Sequence, residues 1–282
     1  MAGLLRLARR RSVLAALLVL LSACSSSPPA SEKGWQSPGP SEFIALATAP
    51  LLLLGEQHDA PEHHRIEADL VQWLSAQQRL AALVLEMADE GRSTAGLGAQ
   101  ASETQVQEAL GWASSGWPWA HYRDAIMAAV RAQVTVLGAN LPRQALRGAM
   151  ADATRDTWLD AQGLALQDQR MIDGHCGLLP ASQTRPMTRV QIARDRQMAQ
   201  TMVAALAQAS DKSPQASVLL LAGQGHVDKL AGVPVHLAML SSQAVRVLLL
   251  QTGTQDAGMQ ADLVWRTPAL PPTDHCAGLR NR

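Results

Sequence analysis

The stretch Pro50-Leu51-Leu52-Leu53-Leu54-Gly55-Glu56-Gln57-His58-Asp59, continuing as Ala60-Pro61-Glu62-His63-His64, decides how this chain is read. A run of leucines closed by a glycine suits a strand buried on both faces, although so short a run also suits a turn of buried helix. The residues after it look like a helix start: Asp59 as N-cap, Pro61 in the first turn and Glu62 three residues after the cap. Ile66, Leu70 and Leu74 then recur at helical spacing, predicting a helix over Pro61 to Ala76 with one face on the sheet.

Working outward, four more apolar runs end in polar clusters: Leu80 to Met87, Val134 to Ala139, Val218 to Ala222 and Val245 to Leu250. Helix-like stretches at His121 to Ala132 and Ile192 to Ala207 lie between them. Alternation of this kind predicts an α/β fold, a mostly parallel sheet flanked by helices. No strand pattern shows between Arg143 and Arg189, so a helical insertion or lid subdomain is expected over about residues 143–190. The domain would span residues 41–282.

In an open parallel sheet, ligands sit beyond the carboxyl ends of the strands. Those ends carry Glu56 and His58, then Glu86, then Asn140 and Arg143, then Gln224-Gly225-His226. Either histidine alone is more often structural; placed together with two carboxylates they make a candidate site. His63 and His64 sit three to four residues before Glu67, a spacing that suits a solvated pair or a histidine oriented by a carboxylate for a metal or ligand. Tyr122, the single tyrosine, stands in Trp117-Pro118-Trp119-Ala120-His121-Tyr122. Such a cluster is ordinary packing, or the wall of a haem site in which tyrosinate is a recognised axial ligand.

The first 23 residues read as an address rather than a piece of fold. Arg6, Arg9, Arg10 and Arg11 precede an apolar core from Val13 to Leu21, too short for the roughly 20 residues of a membrane span. Leu21-Ser22-Ala23-Cys24 reads as a lipobox, with Cys24 lipidated. Residues 24–40 read as that cysteine and a flexible Ser/Pro tether. The expectation is a protein anchored to a membrane but not spanning it. Ser25 stands where an inner-membrane retention signal places Asp, which favours an outer-membrane lipoprotein facing the periplasm of a Gram-negative bacterium. Removal of the leader takes four of the 24 basic residues and leaves 20 against 24 acidic ones, a balance that argues against nucleic acid. Cys176 and Cys276 remain in the mature chain, most simply as a disulfide in an oxidising compartment. Each follows a histidine, His175 and His275, so zinc is the alternative.

Several segments, in order, resemble the ChaN family of haem-binding lipoproteins. They are Leu54-Gly55-Glu56-Gln57-His58-Asp59 with Pro61-Glu62-His63-His64, Leu83-Val84-Leu85-Glu86-Met87, and Gly111-Trp112 with Trp117-Pro118-Trp119 and Tyr122. Ala139-Asn140-Leu141-Pro142-Arg143, Gly174-His175-Cys176-Gly177-Leu178-Leu179-Pro180, Leu221-Ala222-Gly223-Gln224-Gly225-His226-Val227 and Gly232-Val233-Pro234 complete the series. The resemblance implies ferric haem as cofactor, a role in haem or iron acquisition, and a haem pocket between the subunits of a homodimer. It also implies a tyrosine ligand to the iron, carried here by Tyr122, and an outer-membrane haem receptor as a partner class. His58 and His226 would line the cofactor site, with Lys229, His175 and Arg143 as candidates for the propionates. The wider superfamily, which includes erythromycin esterases and metal-dependent proteases, implies an alternative: a metal-dependent hydrolase using Glu56, His58, Glu86 and His226. No Gly-x-Ser-x-Gly nucleophile elbow is present. An envelope lipoprotein that only docks a partner is the third reading.

Overall fold

The computed structural model describes residues 36–210, 215–254 and 258–280. Cys24, the lipobox and most of the tether lie outside them. Six strands form one sheet: β1 (Leu51–Glu56), β2 (Leu80–Asp89), β3 (Thr135–Asn140), β4 (Ser217–Gly223), β5 (Val245–Thr252) and β6 (Leu263–Thr267). Their order is β3-β2-β4-β1-β5-β6, and every neighbouring pair is parallel. The leucine runs are strands because each is buried on both sides and too short for a helix that would cross the core.

Alternation along the strands sorts side chains onto two faces. Leu52, Leu54, Leu83, Leu85, Leu219 and Leu221 face one layer, made by α1 (Pro40–Leu46), α2 (Pro61–Ala76) and α4 (Trp119–Arg131). Leu51, Leu53, Val84, Val218, Leu220 and Leu249 face the other, made by α7 (Ala181–Ser210) and α9 (Val233–Leu240). Both layers are dry and apolar, so the sheet has a core on each side.

The expected insertion is helical. Between β3 and β4 lie α5 (Leu146–Ala151), α6 (Ala161–Gly174) and the thirty-residue α7, the first two packed on the third. Two expectations need correction. The α2 N-cap is Ala60, with no side-chain cap, so Asp59 lies one residue too far out to reach the first-turn N–H groups. Strand β6 went unread because it is a five-residue edge strand of alternating exposure within a polar, proline-containing tail. The remaining short helices are α3 (Glu103–Leu110), capped by Ser102, α8 (Gln224–Val227) and α10 (Ala277–Arg280). No helix among the described residues is long and apolar enough to cross a membrane.

Candidate functional site

The chain leaves β1 toward β2 on one side and leaves β4 toward β5 on the other. These two strands are neighbours, so their carboxyl ends border the crevice where connections part. Glu56 ends β1 and Gly223 ends β4, while Glu86 stands near the end of β2.

Strand alternation gives the site its plan. Glu56 follows Leu52 and Leu54 in phase and points into the layer of α2 and α4. Glu86 follows Ala82 and Val84 in phase and points toward α7 and α8. His58, just past β1, reaches both: its Nδ1 lies 2.8 Å from Glu56 Oε1 and its Nε2 4.0 Å from Glu86 Oε2. A Cβ at Gly223 would come within 2.7 Å of His58 Nε2, so glycine at this strand end makes room for the ring. Gln57 turns the other way and ties the end of β1 to β5, accepting from the Thr252 amide and hydroxyl.

On the α7 side, His226 is clamped. Its Nδ1 lies 2.5 Å from Asp195 Oδ1 and its Nε2 3.2 Å from Glu86 Oε1, and the Gln191 carboxamide lies 3.0 Å from Nδ1. Burial works against a charged ring here, but Glu86 and Asp195 outweigh it and raise the His226 pKa to about 10. Glu86 is buried too, yet the His226 and His58 charges and the Gly223 N–H hold it down at about 2. Both His226 nitrogens thus face carboxylates, and the ring presents no free nitrogen in this arrangement. Asp195 and Gln191 were missed by sequence reading. Asp195 sits three residues from both Ile192 and Met198 on the buried stripe of α7, which is the signal that could have found it.

On the α2 and α4 side, Glu56 Oε1 accepts a 2.8 Å hydrogen bond from the Tyr122 hydroxyl. His64 Nδ1 lies 3.3 Å from Glu56 Oε2 and 3.5 Å from Glu67 Oε2. Burial, and then the Glu56 charge beside it, push Glu67 well above the usual carboxylate range. Burial also lowers the His64 pKa, partly offset by Glu56. The His64–Glu67 pair is therefore buried rather than solvated. His63 is a fold element: its Nδ1 accepts from the Gln57 N–H at 2.9 Å, so its Nε2 proton meets Thr267 Oγ1 at 3.0 Å.

The mouth of the crevice is aromatic. Trp117 sits edge-on to His58 at 4.7 Å, Trp112 packs on Trp119 at 5.2 Å, and the Trp112 indole N–H donates to the Trp117 carbonyl. His58 keeps 39% of its side chain exposed, whereas Tyr122 is 1% exposed. The indoles and the open imidazole suit a flat apolar ring with one axial donor. The Tyr122 oxygen does not fit that role as it stands. It is enclosed and donates to Glu56, and burial with the surrounding carboxylates pushes its pKa far above the usual value for a phenol.

Other candidates fall elsewhere. Lys229 is paired with Asp262, beside Arg246 near the start of β5. Arg143 is exposed past β3, and Asn140 uses its side chain on the Leu141 amide. His175 ends α6, its Nδ1 2.7 Å from the Met171 carbonyl. Cys176 and Cys276 form a disulfide, not a zinc pair, and it carries the tail back so that His275 lies 3.9 Å from Asp59.

A family model described as haem-binding uptake, Tiki superfamily, ChaN matches residues 43–237. The structure resembles ChaN of Campylobacter jejuni, a cofacial haem-binding structure, with TM-score 0.63 at 23% identity over 79% of this chain and 89% of that one. The type III effector HopBA1 follows at TM-score 0.47 and 12% identity, covering 81% of this chain and 92% of that chain. No curated protein matches the chain. A match that runs from α1 to α9 and takes in Glu56, His58, Glu86, Tyr122 and His226 shows that the chain belongs to the ChaN haem-binding uptake family of the Tiki superfamily.

Proposed function

We infer that this protein binds haem at the aromatic mouth of the crevice and serves haem or iron acquisition at the cell envelope. The observation that carries this reading is an exposed, carboxylate-backed imidazole, His58, set against Trp117 over the Glu56–Tyr122 floor, inside the matched family region. Bound there, ferric haem would supply an iron centre that takes one axial donor. Tyr122 is the ligand the family resemblance implies, and Glu56 is the base placed to take its proton. Ligation by Tyr122 requires the phenol to leave its bond with Glu56, whereas His58 is open without rearrangement. A homodimer closing two such mouths on each other, and anchoring through a lipid on Cys24, belong to the same reading.

Haemin titrated into the purified protein tests it. The wild type is expected to saturate, with a high-spin ferric spectrum and a phenolate charge-transfer band that Tyr122→Phe abolishes. Saturable binding whose ferric spectrum survives Tyr122→Phe but is altered in His58→Ala assigns the iron to His58 instead. Weak, non-saturable binding equal in all three proteins rejects the haem reading, and sedimentation with and without haemin checks the dimer.

One observation favours a second reading. In the neutral ring, Glu56 accepts a hydrogen bond from His58 Nδ1–H and leaves Nε2 as the basic nitrogen, facing the open edge beside Glu86. That is the arrangement of a general base acting on water. It does not draw on His226, which is held as a cation, so hydrolysis here would run through His58 with Glu86 as its charged neighbour.

A further inference from the structure

The inner half of the site holds His64 and Glu67, which the haem reading does not use, beside Glu56, which it does. Glu56 Oε2 and Glu67 Oε1 are buried and have no hydrogen-bond partner among the described residues. Both side chains are enclosed, at 1% and 0% exposure. Burial and the Glu56 charge beside it disfavour the ionised form of Glu67, and a cation between the two would let both carboxylates ionise.

His64 shows what that position is built to face. Its Nε2 lies 3.2 Å from the carbonyl oxygen of His58, which can only accept, so Nε2 carries the proton. Nδ1 then turns a lone pair toward Glu56 and Glu67. That lone pair, the Glu56 carboxylate and the Glu67 carboxyl face one spot, and a cation there would take all three as ligands. The spacing agrees. Nδ1 lies 3.3 Å from Glu56 Oε2 and 3.5 Å from Glu67 Oε2, and one donor atom from each of the three residues falls within 4.8 Å of the others. Donors about 2.0–2.1 Å from a tetrahedral centre stand about 3.3 Å apart. The Nε2–H bond to a backbone carbonyl is also the outer contact that metal-bound histidines make.

A route in exists. A cleft of about 220 Å³, lined by Asp59, His64, Arg65, His121 and Asp124, opens onto the His64 ring. His121 stacks on His64 at 4.7 Å. We propose that Glu56, His64 and Glu67 bind one divalent transition-metal cation, with a fourth position open toward this cleft.

Zinc, as the bare ion, is the probe. The purified protein carrying Cys24→Ser, so that no thiol competes, is stripped with chelator and titrated with Zn²⁺ by calorimetry. One equivalent per chain is expected, weakened at least about 100-fold by His64→Gln or Glu67→Gln and within about 3-fold of wild type in Glu108→Gln, an exposed carboxylate on α3. Because a change at a buried carboxyl can unfold the protein, the wild type is also followed by ¹⁵N-histidine NMR. There the zinc-dependent shift must fall on His64 Nδ1. Absence of stoichiometric binding, unchanged affinity in Glu67→Gln, or a shift confined to His58 or His226 overturns the proposal. Absent binding would leave Glu56 and Glu67 as a carboxyl pair sharing a proton.

Discussion

His63 shows how a residue that reads as chemistry can belong to the fold. It was one of two adjacent histidines at the start of α2, and nothing in the sequence separates their roles. In the structure it joins the end of β1 to Thr267 at the end of β6, a strand the sequence did not disclose. Burial, followed by the charge of His64, lowers its pKa to about 4, and His236 is lowered to about 4 mainly by burial. The unfolded chain takes up a proton on each ring near pH 6.5, while the folded chain does so only near 4. The contribution of these two rings is therefore full above 6.5 and falls as pH drops from 6.5 toward 4. A decrease in Tm across that window is expected, and about half that decrease in His63→Gln. An acid limb of the same size in His63→Gln would show that His63 is not the titrating group.

At the scale of elements, the insertion is more than a cover. Helix α7 brings Asp195 and Gln191 against His226, so one face of the strand-end cluster is built by a segment read only as helical. That segment was legible as helix from the pattern over Ile192 to Ala207. Its contribution was not, because Asp195 stands between Arg194 and Arg196 and looks like surface charge. Asp195→Asn leaves His226 with one carboxylate. Its pKa should fall from about 10 toward the ordinary value near 6.5, seen in an NMR titration of the ring. Stability should fall by about 3 kcal/mol, the typical cost of breaking a buried ion pair on one side. A His226 titration unchanged in Asp195→Asn would remove α7 from the site.

For the whole molecule, leucine runs, terminal glycines and helix-period stripes were enough to read a parallel sheet with helices on both faces. Alternation put Glu56 and Glu86 near strand ends, but which face each takes follows from register, and register needs the neighbouring strands. The disulfide was readable from two cysteines, but the return of the tail to Asp59 was not, since it joins positions 100 residues apart. Closing so long a loop should matter: Cys276→Ser is expected to lower the unfolding free energy by about 2–4 kcal/mol in urea titrations. Equal urea midpoints for wild type and variant would mean that the tail is stabilised without the bond.

One ring stands between the two sets of groups. Glu56 and Glu86 take opposite sides of the sheet, and His58 is in contact range of both carboxylates. Charge added or withdrawn on the α2 side alters how strongly Glu56 competes for that imidazole, and so alters the field Glu86 feels on the α7 side. The influence runs equally in both directions, as any coupling between two binding equilibria must.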